Sequence, residues 1–170
     1  MHALLALIKR LDPFVARVLK PLVVVLSLAV AVLMVSGIVS RELLGQPLLG
    51  LEEVVLTSVM WLYMLGAALA SRDRTHLSGD FIQVITQNES TKARMRFVAT
   101  LISLLMAIVF AIWSFSLIRW GFERQQSTAA LRIPLYVAQS SLFVCSVLMV
   151  FYAIRDALSD ALALGDGGKA

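Results

Sequence analysis

The chain has 170 residues, of which 59% are hydrophobic and only 15% are charged, and its net charge is +4. A soluble domain carries about a quarter charged residues, so this composition excludes an ordinary soluble globule and indicates a single bundle of membrane helices. The lone Cys145 excludes disulfide frameworks and Cys-rich zinc sites. The basic residues are scattered between apolar segments, which argues against nucleic-acid binding.

Residues 1–20 predict an amphipathic helix, because apolar residues recur every three or four positions while Lys9, Asp12, Arg17 and Lys20 occupy other positions. The Asp12-Pro13 pair is expected to break this helix, since Asp is a frequent N-cap and Pro is favoured in the first turn of a helix. An amphipathic segment with basic flanks is expected to lie in the membrane surface. Packing on a partner protein is the alternative, and the sequence does not separate the two.

Four segments contain no acidic or basic side chain and are long enough to cross a bilayer: 21–40, 54–71, 97–118 and 133–154. A helix rising about 1.5 Å per residue crosses a hydrocarbon core about 30 Å thick in about 20 residues. Backbone polar groups in lipid must pair within their own segment, so helix is the expected structure. The sequence therefore predicts an all-α protein forming one membrane domain over 1–170, with four transmembrane helices and an N-terminal amphipathic surface helix.

Lys and Arg are unequally distributed between the two sides of these spans. Eleven of them lie in the N-terminal segment, in the loop 72–96 or in the tail 155–170. The other four lie on the opposite side: Arg41, Arg119, Arg124 and Arg132. The positive-inside rule therefore places both termini and the tail in the cytoplasm. Within the long loop, the apolar-rich stretch 80–87 favours a second helix lying in the membrane surface.

The spans lack the side chains that transport or catalysis would require. Charged residues at mid-bilayer usually mark ion paths or substrate sites, and these spans contain none. No nucleophile with a base and no cluster of carboxylates is present, so we predict neither an enzyme nor a bound metal or cofactor. In the long loop, Asp73, His76 and Asp80 are too few for a typical zinc site. The four helices are therefore expected to pack, anchor and orient.

Small residues mark a surface of the second span where another helix can approach closely. They include Gly66, Ala67 and Ala70. Trp61 lies about two turns inside the same span, deeper than an interfacial anchor, and is expected to face a neighbouring helix. Gln139 is the one side-chain amide in any span, and we favour an interhelical hydrogen bond for it over a contact to a partner subunit.

Two adjacent acids, Glu52 and Glu53, immediately precede the second span. The helix dipole favours a carboxylate at this position by about 0.3–1 kcal/mol. Acids at a bilayer boundary also pair readily with arginines, and four arginines lie on the same side. The sequence leaves three roles open for the acids: interaction with the dipole, an ion-pair network and a docking surface.

Taken in order, these motifs resemble the small membrane (Q-type) subunit of tripartite ATP-independent periplasmic (TRAP) transporters, over about residues 22–155. The matching motifs are Ser40-Arg41, Glu52-Glu53, Trp61, Gly66-Ala67, Arg72-x-x-x-His76-x-x-x-Asp80 and Leu131-Arg132-Ile133-Pro134.

The resemblance implies a small permease subunit in the bacterial inner membrane that acts as a scaffold. A large membrane subunit would carry the substrate and sodium sites, and a periplasmic protein would deliver an organic acid. The residues expected to contact the large subunit are Glu52, Glu53, Trp61, Gly66, Ala67, Ala70 and Gln139. Those expected to form a periplasmic docking surface are Arg41, Glu42, Arg119, Arg124 and Arg132. Those expected to form a cytoplasmic family motif are Arg72, His76 and Asp80.

Three other functions are compatible with the residues. The first is a self-sufficient small transporter or channel that assembles as an oligomer, although this predicts a polar stripe along one span that is not visible. The second is a membrane enzyme with its active site in the loop 72–96. The third is an assembly factor with four membrane spans and no transport role.

Overall fold

The computed structural model describes residues 2–45, 48–73 and 89–167. These ranges form four helices: α1 His2–Leu44, α2 Leu51–Arg72, α3 Glu89–Arg124 and α4 Leu135–Gly167. Each contains a stretch that is long enough and apolar enough to cross a membrane. The predicted all-α architecture with four membrane helices is therefore confirmed.

The path of α1 differs from the sequence prediction. The break expected at Asp12-Pro13 was wrong, because one helix runs through Pro13 and Pro21 without interruption. Its inward face is buried at Ile8, Ala16 and Leu19. Packing of this face overrides the local preference of the Asp-Pro pair for a helix start. The location of this segment at the membrane surface stays a prediction.

The helices α3 and α4 extend beyond the predicted spans. Residues 155–167, predicted as part of a tail, continue α4 as regular helix, and α3 begins at Glu89. The extension of α4 packs on α3, since the buried Thr100 hydroxyl donates to Asp160 Oδ2 at 2.7 Å. The surface helix predicted at 80–87 lies outside the described residues.

The four helices pack in the order α1, α2, α4, α3. The helix α2 packs on both α1 and α4, and α3 packs extensively on α4. Within the described ranges, α3 does not pack against α1 or α2. A small core of Leu19, Ala68 and Cys145 lies where α1, α2 and α4 meet. We call the end of the bundle that contains the start of α2 the Glu53 end, and the opposite end the Asp12 end.

Large apolar side chains cover the outward faces of the bundle. Leu28 and Val32 on α1, and Leu105 and Trp113 on α3, are each more than half exposed. Apolar surface of this extent on a soluble protein would promote aggregation, so these faces fit contact with lipid or with another membrane protein.

Candidate scaffold and docking surfaces

At the Glu53 end, one carboxylate binds the connection between α3 and α4. Glu53 Oε1 accepts the backbone N–H of Ala130 at 2.7 Å, and Oε2 accepts that of Leu131 at 2.8 Å. Glu53 lies in the first turn of α2, where the dipole of the helix also favours a negative charge. Hydrogen bonds from backbone N–H groups to an ionised carboxylate are stronger than neutral ones, so Glu53 fixes this connection to α2.

The connection itself is a compact turn of defined geometry. The Thr128 N–H donates to the carbonyl of Ile133 at 2.9 Å, and the Leu135 N–H donates to the carbonyl of Gln126 at the same distance. The Thr128 hydroxyl also accepts the N–H of Ile133 at 2.9 Å. These hydrogen bonds close the loop on itself. Glu53 therefore binds a turn that has its own internal hydrogen bonds.

Replacing Glu53 by glutamine should release this loop. A neutral amide presents one acceptor oxygen where the carboxylate presents two, so one of the two N–H groups loses its partner. We expect the amides of Ala130 and Leu131 to exchange with deuterium faster in this variant, measured by mass spectrometry on the protein in detergent. The matched control is Glu52→Gln, which should leave both amides protected. Equal protection in Glu53→Gln and the unchanged protein would contradict the assignment.

Glu52 faces away from the loop that Glu53 binds. Its carboxylate lies 3.6 Å from Arg41 Nη2, and the two side chains are 87% and 67% exposed. An exposed pair of this kind contributes little to stability. Below it, an apolar groove of about 430 Å³ runs between α1 and α2, with walls that include Ile38, Leu56 and Val59. The pair therefore forms the polar rim of an apolar groove.

All five residues predicted as a docking surface lie exposed at the Glu53 end. Arg119 pairs at 3.5 Å with Glu123, one turn further along α3. Arg132 lies in the connection with a positive φ of 53°. These residues distribute exposed charges over the Glu53 end of the bundle.

On α2, the predicted interface residues divide between two sides of the helix. Trp61 Nε1 donates to the carbonyl of Val137 at 3.1 Å, so its indole packs on α4 of the same chain. Gly66 lies on the other side, and a Cβ added there would have no other atom within 4 Å. Ala67 lines the wall of a different groove.

We call the open side of α2 the outer face, which comprises Leu56, Val59, Tyr63, Gly66 and Ala70. These positions follow one another at three- and four-residue spacing and so share one side of the helix. Leu56 is 60% and Tyr63 is 68% exposed. Val59, Gly66 and Ala70 are partly exposed. The outer face is therefore a stripe of apolar and small residues that is most exposed at Leu56 and Tyr63.

Gln139 lies between α4 and α3 and not on an outer surface. Its Oε1 atom packs so closely on Gly121 of α3 that a Cβ at that glycine would overlap it. This oxygen is buried and has no hydrogen-bond partner in the described part of the chain. The sequence predicts an interhelical hydrogen bond for Gln139; the side chain lies between two helices, but its oxygen accepts no hydrogen bond from the described residues.

At the Asp12 end, the structure brings together charged residues that the sequence did not connect. Arg72 Nε donates to Asp12 Oδ1 at 2.6 Å, and Arg155 Nη1 lies 3.2 Å from Asp12 Oδ2. Arg155 also contacts Asp156 and lies over the ring of the fully buried Tyr152, with 5.2 Å between the guanidinium carbon and the ring centre. We call these five residues the Asp12 cluster. His76 and Asp80, the other members of the predicted cytoplasmic motif, lie outside the described residues.

The sequence contains a signal for this cluster, but the residues immediately around Asp12 do not display it. Asp12 was interpreted as an N-cap, whereas it shares the inward face of α1 with Ile8 and Leu19. A lone acid on the inward face of an amphipathic helix requires a cationic partner, and Arg72 and Arg155 directly follow two apolar spans. Only the topology shows that these three positions meet.

A second apolar groove, of about 460 Å³, lies between α2 and α3 over α4. Its walls include Ala67, Met106 and Phe110, and Asp156 lies at its Asp12 end. The charged residues of the first groove are Arg41, Glu42 and Glu52, and the charged residue of the second groove is Asp156. Across the part of the chain that the structure describes, no three His, Cys, Asp or Glu side chains are grouped to hold a metal ion.

A family model for the DctQ component of tripartite ATP-independent periplasmic transporters matches residues 30–163. The chain belongs to this family. The resemblance seen in the sequence is confirmed, and the chain is a small permease component of the TRAP type, from a family of transporter components and not of enzymes. No curated protein matches the chain. The matched region contains Glu53, Arg72 and Arg155, whereas Asp12 precedes it.

Proposed function

We propose that this chain is the scaffold subunit of a sodium-coupled importer of organic acids in the bacterial inner membrane. It would hold a large membrane subunit in place while that subunit moves the substrate, which a periplasmic binding protein delivers. The observation that carries this proposal is the membership of the DctQ family together with the outer face of α2, where Leu56 and Tyr63 are more than half exposed.

The interior of the bundle favours a structural role over the conduction of a substrate. An organic acid is an anion, and its passage through hydrocarbon requires cationic or strongly polar groups along the path. The four predicted spans carry no charged side chain, and the walls of both grooves are mainly apolar. The substrate and ion sites are therefore assigned to the large subunit.

The outer face of α2 is the surface that we assign to the large subunit. Membrane helices associate through close packing of small residues, because lipid offers no hydrophobic driving force between them. Gly66 and Ala70 allow a second helix to approach, and Tyr63 and Leu56 supply larger contact area beside them. Trp61 and Glu53 would contribute indirectly, by holding α2 on α4 and on the connection between α3 and α4.

The charge distribution supports an orientation with the Glu53 end in the periplasm. Eleven of the 15 Lys and Arg residues belong to the predicted cytoplasmic segments. In this orientation Arg41, Glu42 and Arg132 face the compartment of the binding protein. They would attract it by complementary charge, a contribution that acts mainly on the association rate.

The assignment of the outer face is tested by Gly66→Trp. The space around Gly66 is open in the single chain, so the substitution should not disturb its own packing. Crowding of a packed interface costs about 1–3 kcal/mol, which weakens association by about 5- to 150-fold. We expect the variant chain to lose most of the co-purifying large subunit when the two are expressed together in membranes.

The matched control is Ile102→Trp, which places the same side chain at an exposed position of α3. This variant should keep the large subunit. Normal recovery of the complex with a correctly folded Gly66→Trp chain would contradict the assignment of the outer face.

The transport role itself is tested by measuring uptake in cells that express defined combinations of components. Uptake of labelled organic acids should require this chain, the large subunit, the binding protein and a sodium gradient together. Uptake by either membrane subunit alone would contradict the scaffold function, whatever the outcome for Gly66.

A further inference from the structure

Asp12 joins three helices through its two carboxylate oxygens. Arg72 from α2 binds Oδ1 at 2.6 Å, and Arg155 from α4 lies 3.2 Å from Oδ2. The side chains of Asp12, Arg72 and Arg155 are only 18%, 20% and 13% exposed. The contact is therefore screened from water far better than a surface ion pair, and it has a defined geometry.

Both arginines are oriented by contacts that do not involve Asp12. Arg155 Nη2 donates to the backbone carbonyl of Arg72 at 2.6 Å, and Arg155 Nε contacts Asp156 at 2.8 Å. Arg72 Nη1 donates to Asp73 at 2.9 Å. The two guanidinium groups are thus held ready for a carboxylate from α1, so that little side-chain entropy is lost when Asp12 binds.

Asp12 stands next to a weak point of α1. Pro13 has no backbone N–H, so it cannot form the helical bond to the carbonyl four residues before it. An Asp-Pro pair instead favours a helix that begins at the proline, with the Asp side chain accepting N–H groups of the next turn. In the structure both carboxylate oxygens of Asp12 instead lie against arginines of other helices, so this side chain is used between helices and not as an N-cap.

We propose that Asp12 is a latch residue: by binding Arg72 and Arg155 it holds residues 2–11 in line with α1 and prevents a break at Pro13. The latched segment precedes the region 30–163 that the family model matches, whereas both arginines lie inside it. The latch therefore joins a segment outside the matched region to two arginines inside it. It concerns the conformation of this chain alone and does not depend on the proposed transport role.

The latch is tested by measuring distances between two nitroxide labels on the full chain in lipid nanodiscs. All samples carry Cys145→Ala, so that labels attach only at Arg10→Cys on α1 and Val98→Cys on α3, both exposed positions. With Asp12 present, we expect one narrow distance distribution. In Asp12→Asn we expect a second, separate distance, because the released segment bends at Pro13.

Two controls separate the latch from a general loosening of the charged cluster. Asp73→Asn removes the other carboxylate that binds Arg72 but leaves Asp12 in place, and it should keep the single distance. Moving the first label from Arg10 to Val18, beyond the proline, should also give a single distance in Asp12→Asn. A second distance in either control overturns the proposal.

Suppression by a change at the proline gives the sharpest test. If Asp12 opposes a break at Pro13, then adding Pro13→Ala to Asp12→Asn should restore the single distance. Persistence of the second distance in this double variant, or its absence in Asp12→Asn, overturns the proposal. Should Asp12→Asn not be recovered as folded protein, the double variant should be recovered, and failure of both likewise overturns the proposal.

Discussion

Replacing Arg155 by methionine should destabilise the protein by about 3–5 kcal/mol, the usual effect of removing one member of a buried ion pair. Arg155 contacts Asp12, Asp156 and the carbonyl of Arg72, and its side chain is 13% exposed. Methionine retains the apolar stem but has neither a positive charge nor a hydrogen-bond donor. Asp12 and Asp156 would therefore keep their negative charge in poorly hydrated surroundings without this partner. The free energy of unfolding is measured by titration with SDS in mixed micelles, followed by tryptophan fluorescence.

The control for this variant is Arg119→Met, which removes an arginine paired with Glu123 across one turn of α3. Both side chains of that pair are more than 60% exposed. Exposed pairs at this spacing contribute about 0.3–0.5 kcal/mol, so the control should be nearly neutral. Similar losses in the two variants would show that the Asp12 cluster does not stabilise the bundle beyond ordinary surface charge.

The parts of the fold that depend on local sequence were predictable. The four apolar spans follow from hydropathy, because the transfer of each segment into hydrocarbon is decided by its own residues. The lengths of the helices were not predictable in the same way. The continuity of α1 through Pro13 and the extension of α4 past Arg155 accompany contacts between helices distant in sequence, which no local pattern displays.

In the candidate site as well, the position of a residue in its helix was predictable, whereas its contacts were not. The pair Glu52-Glu53 was recognisable as a helix start, yet only the structure shows that Glu53 binds the connection while Glu52 stays exposed. Likewise, Gly66 and Trp61 belong to one span, but they lie on different sides of it. Spacing predicts which residues share a helix face, whereas the neighbours of that face depend on how the whole bundle packs.

Polar contacts join the helices at both ends of the bundle. Glu53 joins α2 to the connection between α3 and α4, and the Asp12 cluster joins α1, α2 and α4. Between the two ends, α1, α2 and α4 meet at small buried residues such as Ala68 and Cys145. Polar contacts at both ends of a bundle limit the tilting of its helices, and such rigidity is consistent with the scaffold role that we propose.

Replacing Gly50 by alanine should have the largest effect at the Glu53 end. Gly50 precedes α2 with φ of 84°, a conformation that costs an L-residue about 1–2 kcal/mol. In addition, a Cβ there would come within 2.9 Å of both methyl carbons of Leu131. The crowded atoms belong to the half-exposed side chain of Leu131, which can move aside at a smaller cost. We expect this side chain to be displaced and the free energy of unfolding to fall by about 1–2 kcal/mol from the backbone effect, with a smaller addition from the crowding.

The two causes can be separated with variants that the chain itself offers. Gly45 has a φ of 64° but open space around it, so Gly45→Ala should show the backbone effect of about 1–2 kcal/mol alone. Leu131→Ala removes the crowding, and the half-exposed leucine should be inexpensive to truncate. The double variant Gly50→Ala with Leu131→Ala should therefore be more stable than the sum of the single losses predicts. Strict additivity would mean that Gly50 and Leu131 are not in contact, and that Glu53 does not hold the connection in the position described.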